Sequence, residues 1–292
     1  MNKLPLQKRV QIIHLLVEGN SMRSTSRIAD VSINTVTKVL VEVGTACMNF
    51  HNEKVKGLKC KKIQCDEIWS FVSSKEKNTT AEMKEEGAGD AWTWVGIDAD
   101  TKLVLSWFVG DRSADSAIIF MNDLKDRITN RVQLTSDGYV SYLEAVTDAF
   151  GSQIDYAQLV KVYGSSSDSS SATERKYSPS KLKSINKIPI SGNPDEKHIS
   201  TSYVERQNLT MRMHMRRFTR LTNAFSKKLE NHCHAIALHF VYYNFVKIHK
   251  TLRVPPAMEA KLIKRLMTIK DIVELVHGEA PKLRGNYKKN HL

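Results

Sequence analysis

Three positions along the chain carry carboxylates where carboxylates are expensive. Asp66 and Glu67 interrupt Lys61-Lys62-Ile63-Gln64-Cys65-Asp66-Glu67-Ile68-Trp69-Ser70-Phe71-Val72, a run of β-branched, apolar and aromatic residues that predicts a strand. Strand alternation sends the two side chains to opposite faces, so at most one points along each side. Burying a lone carboxylate costs on the order of several kcal/mol unless it is paired or bound to a metal. A strand that keeps one in its interior has a use for it, and an edge-strand charge or a surface salt bridge is the plain alternative. Asp137 closes the short strand Val132-Gln133-Leu134-Thr135-Ser136-Asp137 and is followed by Gly138-Tyr139. The carboxyl end of a strand is where α/β sheets place their sites, although an Asp-Gly turn also fits.

Glu205 lies in Thr201-Ser202-Tyr203-Val204-Glu205-Arg206-Gln207-Asn208-Leu209-Thr210-Met211-Arg212, which reads as a helix start. Ser202 and Glu205 match the capping-box pattern S-x-x-E, which alone accounts for the glutamate. The same glutamate shares a helical face with Asn208, Leu209, Arg212 and Arg216. One carboxylate, one amide and two arginines suit a metal-bound phosphate, with Asn208, Arg212 and Arg216 read as DNA contacts. Phosphodiester cleavage needs an activated water or hydroxyl and charge stabilisation on the attacking and leaving oxygens. Two Mg²⁺ (or Mn²⁺) ions about 3.5–4 Å apart supply both and take hard oxygen ligands. Asp66, Asp137 and Glu205, arriving from three separate elements, are the protein's share of such a site.

The elements that must position them follow from apolar spacing. Leu6, Val10, Ile13 and Val17 predict a first helix that stops at Gly19-Asn20. A second spans Ser21 to Ala29, and a third runs from an N-cap at Ser32 through Val43 to Gly44. This is the pattern of a helix-turn-helix, with Asn34, Thr35, Thr37 and Lys38 on the third helix suited to reading DNA. Residues 1–48 form that domain, and 49–62 a basic linker. Residues 75–90 read as an exposed loop. Ala91–Ile97 and Leu103–Val109 read as strands joined by Asp98-Ala99-Asp100-Thr101-Lys102, whose aspartates suit a turn better than a metal. A helix over 113–128, the strand ending at Asp137, a helix over 139–149 and a strand over 154–162 complete the middle.

Residues 164–198, opening Gly164-Ser165-Ser166-Ser167, lack periodicity and read as a mobile insertion carrying lysines toward DNA. An apolar, aromatic core helix is expected over 226–249. His232, Cys233, His234 and His239 lie on it, but adjacent helical residues face different ways, so no zinc is expected. An amphipathic helix over 257–277 and a basic end, Lys282 to His291, form a tail over 251–292.

Charge supports a polyanionic partner. The 292 residues carry a net charge of +13, with a sequence pI of about 9.5. The charge is segregated: 1–62 holds eleven Lys and Arg against four Asp and Glu, 66–165 nine against seventeen, and 201–270 fourteen against three. An acidic middle between basic segments suits a metal site held against nucleic acid. Cys47, Cys60, Cys65 and Cys233 form no paired framework, which predicts reduced thiols. No signal peptide or membrane-spanning run is read, so the expected location is cytoplasmic, on the nucleoid when bound to DNA.

The ordered motifs Cys65-Asp66-Glu67-Ile68-Trp69, Thr135-Ser136-Asp137-Gly138-Tyr139 and His198-Ile199-Ser200-Thr201-Ser202-Tyr203-Val204-Glu205-Arg206-Gln207-Asn208-Leu209 resemble those of the DDE transposases, the IS1-type group most of all. The likeness continues through Arg212, Ala224-Phe225-Ser226-Lys227, Tyr243-Asn244, His249, Leu252 and Pro255-Pro256, covering about 60–258. The resemblance implies an α/β ribonuclease-H-like catalytic domain over 63–250, a mixed sheet with flanking helices, behind the N-terminal helix-turn-helix domain. It implies that Asp66, Asp137 and Glu205 are catalytic metal ligands, and that water first frees a 3′-hydroxyl at an element end. That hydroxyl then attacks target DNA, with no covalent protein–DNA intermediate. Double-stranded DNA and further copies of the chain are the implied partners. A metal-dependent nuclease of the same fold, or a DNA-binding regulator built on an inactive transposase body, are the alternatives. The chain departs from the group in lacking a cysteine set ahead of the first helices and in the longer interval from Asp137 to Glu205.

Overall fold

In the computed structural model, which describes residues 4–164, 182–219 and 223–278, three helices open the chain: α1 (Leu6–Val17), α2 (Met22–Ala29) and α3 (Ile33–Lys54). Ser21 and Ser32 cap the second and third, each hydroxyl oxygen accepting the N–H three residues on. Asp30, with φ 49°, makes the turn between α2 and α3. The third helix does not stop at Gly44 as expected. Gly44 is a point of close helix packing rather than a C-cap, because a Cβ there would lie 2.6 Å from the Cβ of His234 on a later helix. Residues 49–54, expected in a linker, are therefore the last turns of α3, with His51 fully buried.

Six strands form one sheet in the order β3-β2-β1-β4-β5-β6. They are β1 (Lys62–Val72), β2 (Gly89–Asp98), β3 (Val104–Gly110), β4 (Val132–Asp137), β5 (Ile154–Tyr163) and β6 (Leu182–Ser191). β1, β4 and β5 run parallel, while β2, β3 and β6 are antiparallel to their neighbours. In the β2–β3 turn Asp98 accepts the N–H and the hydroxyl of Thr101, so its role is the turn chemistry read from the sequence. The segment 164–198 is not one structureless insertion, because 182–191 pairs along β5. Lysines and Pro189 hide its alternation, and an edge strand tolerates both. The Ser-rich residues 165–181, and with them the expected mobile insertion, lie outside the described residues. Within 75–90, read as a loop, Thr80 caps a short helix α4 (Ala81–Glu85).

Helices α5 (Ala114–Asp126) and α6 (Ser141–Phe150) cover the sheet face to which Glu67 points. α7 (Ser202–His214) and α8 (Leu229–Val241) cover the other, together with α3. The chain is thus α/β with a mixed sheet and flanking helices, compatible with a ribonuclease-H-like fold. After α8 a π-helical turn (Tyr242–Val246) aims the buried Asn244 at β3, where its amide exchanges two hydrogen bonds with the backbone of Val104, at 2.9 and 2.8 Å. The expected helix over 257–277 is split into α9 (Pro256–Glu259) and α10 (Ile269–Glu274). Lys261 takes a left-handed φ of 60° that stops the first, and a Thr268–Asp271 capping box starts the second. The basic end, 282–291, lies outside the described residues. One apolar core runs without a break from Ile12 and Ile13 of α1 through Leu40 of α3, Phe240 of α8 and Ile272 of α10 to Ile63 and Trp94 of the sheet.

Candidate active site

β1 and β4 pair only over Lys62–Gln64, at Gln133–Thr135. Beyond that point β1 stays with β2 while β4 stays with β5, and a crevice opens between the two parallel strands. Asp66 stands on one lip and Asp137, the last residue of β4, on the other. Carboxylate oxygens of Asp66, Glu67 and Asp137 all lie within 4.8 Å of one another. Asp66 accepts the N–H of Glu67 at 2.9 Å, and Asp137 that of Tyr139 at 3.0 Å. Gly138 is required beside it, because a Cβ would come within 2.8 Å of Val160.

Glu67 belongs to this cluster by distance but is already committed. Its side chain is 1% exposed and receives Arg112 at 2.6 Å and the Tyr142 hydroxyl at 3.1 Å. The Arg112 guanidinium lies over the rings of Trp92 (4.7 Å) and Tyr139 (4.2 Å). Nothing local in the sequence marks Arg112, which reaches Glu67 only through the fold.

Glu205 stands half-buried on α7, outside the 4.8 Å group. Both its oxygens meet Lys161 Nζ of β5 at 2.5 Å. The S-x-x-E pattern does not form a capping box. Thr201, not Ser202, is the N-cap, and its hydroxyl donates to Glu205 Oε1 at 2.5 Å instead of capping. Asn208, read as a DNA contact, is 4% exposed and donates its amide to Asp66 Oδ2 at 2.9 Å. Arg212 stays on α7, but the helix ends at His214. Arg216 begins a 3₁₀ turn beyond the extended Met215 and so leaves the shared face.

The electrostatics are those of crowded acids. Burial, then the charges of Glu67 and Asp137, push Asp66 up to about 8, with Glu205 adding to the shift. Burial and Asp137 raise Glu67 against the pull of Arg112. Burial raises Asp137, and Glu205 adds to it, while the Tyr139 N–H and Arg112 oppose. Glu205 is thus close enough for both aspartates to feel its charge. A cation placed among these groups would reverse the whole set of shifts. The donors fit a hard divalent ion: carboxylate oxygens of Asp66 and Asp137, and the buried Oδ1 of Asn208, which has no hydrogen-bond partner.

At the start of α3, Asn34 and Lys38 are exposed, and Thr35 and Thr37 are half-buried. Thr37 gives its hydroxyl to the Ile33 carbonyl, and Lys38 approaches Glu42 at 3.9 Å. Beside this tip, and separate from the acidic crevice, is a cavity of about 910 Å³ lined in part by Arg23, Thr37, Arg216, Arg217 and Lys227. No helix among the described residues is long and apolar enough to cross a membrane.

No protein-family model matches the chain, and no curated protein matches it. Among solved structures, the crystal structure of the Mos1 strand transfer complex is 13% identical, over 82% of this chain and 77% of that one, with a TM-score of 0.23. Likeness at that level fixes neither fold nor function.

Proposed function

We propose that this chain is a DNA transposase of the DDE kind, IS1-type in its motifs, acting on phosphodiesters at the ends of a mobile element. The observation that carries the reading is the convergence of Asp66 and Asp137 across the β1–β4 crevice, with Glu205 near enough to perturb both. Asp66, Asp137 and Glu205 are the proposed catalytic ligands, and Mg²⁺ or Mn²⁺, two per site, the proposed cofactor. Held there, a divalent cation would supply Lewis acidity and an activated oxygen nucleophile. The chain's own part is to fix these acids. Asn208 and the Glu67 N–H orient Asp66, the Tyr139 N–H orients Asp137, and Lys161 and Thr201 hold Glu205. Arg112 keeps Glu67 out of the ligand set by neutralising it.

The proposed DNA contacts are Asn34, Thr35, Thr37 and Lys38 at the tip of α3 as a helix-turn-helix, with Arg212 and Arg216. The net charge of +13 and the excess of Lys and Arg over residues 1–62 support them. Two element ends must be held together, so the working form is an oligomer on DNA in the cytoplasm. The test is incubation with Mg²⁺ and labelled DNA from the borders of the protein's own gene, with Asp137→Asn alongside. Discrete, metal-dependent border cutting followed by joined strands, absent in the variant, is the expected result. Free ends without joining indicate a nuclease of the same fold. Tight binding without cutting in either Mg²⁺ or Mn²⁺ indicates a DNA-binding regulator.

A further inference from the structure

Two side chains of one face of β1 hold the helix that carries Glu205. Gln64 Oε1 accepts the N–H groups of Tyr203 at 2.7 Å and Val204 at 3.2 Å. Two residues along the strand, Asp66 Oδ2 accepts the amide of Asn208. The spacings match. Two strand residues advance about 6.6 Å, and the four to five helical residues from Tyr203 and Val204 to Asn208 rise about 6–7.5 Å. Glu205 lies between the two anchors. Gln64 is 3% exposed, a buried polar side chain between Ile63 and Cys65.

First-turn N–H groups of a helix ordinarily go to the side chain of its own cap residue. On α7 they do not, because Thr201 makes no cap bond and spends its hydroxyl on Glu205. The Ser202 N–H goes to Ser200 Oγ at 3.2 Å, but the capping of Tyr203 and Val204 has moved to β1, which leaves Thr201 to hold the third carboxylate. We propose that Gln64 is a positioning residue: a cap supplied from β1 that sets the register of the Glu205 helix against Asp66 and Asp137, and so the affinity of the site for a divalent cation. The inference rests on the metal-dependent reading of those acids.

Four variants test it in the metal-free protein and with Mn²⁺ alone: Gln64→Leu, Gln64→Glu, Asp137→Asn and, as a control of helix capping elsewhere, Thr268→Ala. The readouts are Mn²⁺ affinity by electron paramagnetic resonance, amide exchange at Tyr203 and Val204, and thermal melting. Gln64→Leu is expected to bind Mn²⁺ about tenfold more weakly, as loss of a supporting hydrogen bond does at metal sites, and to exchange both amides faster. Gln64→Glu keeps the acceptor and restores slow exchange. Thr268→Ala lowers the melting temperature without changing Mn²⁺ affinity. A folded Gln64→Leu that binds Mn²⁺ as the wild type does, or loses no more than Thr268→Ala, overturns the inference. Wild-type Mn²⁺ affinity in Asp137→Asn overturns instead the reading of the site itself. Should Gln64→Leu not fold, Thr201→Val decides, since slow exchange at Tyr203 and Val204 must survive it if the cap comes from β1.

Discussion

Replacing Asp66 by Asn should stabilise the metal-free protein, increasingly so as pH rises from about 4 to about 8. Folding raises this carboxyl from an ordinary 3.8 to about 8, with burial as the first cause. Between those values the folded chain binds more protons than the unfolded one, so stability falls as pH rises and levels off above about 8. The span is roughly four pH units, which at about 1.4 kcal/mol per unit sets an upper limit near 6 kcal/mol. Half of that, after relaxation, is about 3 kcal/mol, or roughly 6–12 °C for a domain of this size class. Asparagine is the isostere of the protonated acid and suffers none of this. It still accepts the Glu67 N–H, and the unpartnered Oδ1 of Asn208 can turn to meet its amide. Melting curves in EDTA at pH 6.5, 7.25 and 8 isolate the effect, because the buried histidines stop contributing slope above about 6.5. The wild type should lose ground to Asp66→Asn across the series, and Mn²⁺ should stabilise the wild type more at pH 8 than at 6.5. An Asp66→Asn protein that melts lower than wild type at pH 8 in EDTA would refute the electrostatic account.

Three further outcomes follow from the packing. Arg112→Met strands the buried Glu67 carboxylate and should cost about 3 kcal/mol in urea unfolding. The double change with Glu67→Gln should regain most of it, and a double variant no better than the single removes the ion pair from the explanation. Gly44→Ala should destabilise by about 2 kcal/mol or more despite the better helix propensity of alanine. The new Cβ would meet His234 at 2.6–2.8 Å, backbone included, so unchanged stability means that α3 and α8 do not cross where described. His51, His232 and His239 are each held neutral by burial, down to about 3, so stability is full above about 6.5 and drains as pH falls. His51→Gln should lose up to about 3 kcal/mol less than wild type between pH 6.5 and 4.5, and parallel curves would exclude that histidine as a source of acid lability.

What the sequence disclosed was governed by local pattern. Asp66 and Asp137 stood out because a charge inside a strand, or at its carboxyl end, breaks a short-range rule, and the sheet brings them together. Glu67 was visible as a residue but not as an ion pair, since Arg112 lies 45 positions away, just past β3, and only the pairing of β1 with the β2–β3 hairpin brings it near. Glu205 sat on the expected helix, yet its capping-box reading failed because the strand supplied the cap. Gly44 looked like a helix stop because glycine signals both a left-handed cap and a close crossing, and sequence alone does not separate them. β6 was hidden by Pro189 and its lysines, and the C-terminal break by Lys261, where no glycine marks the left-handed turn.

The unbroken run of α3 has a mechanical consequence. Its 22 residues make a rod about 33 Å long, with the proposed DNA-reading residues at one end. At the other, His51 is locked to the Val104 carbonyl at the sheet edge. A flexible tether would let a bound DNA sequence wander relative to the acids. A rod acts as a gauge. On the proposed reading, the number of base pairs between the recognised sequence and the cut phosphate is set by helix length and phase, so that one residue inserted into α3 would swing its tip by about 100° rather than lengthen a leash.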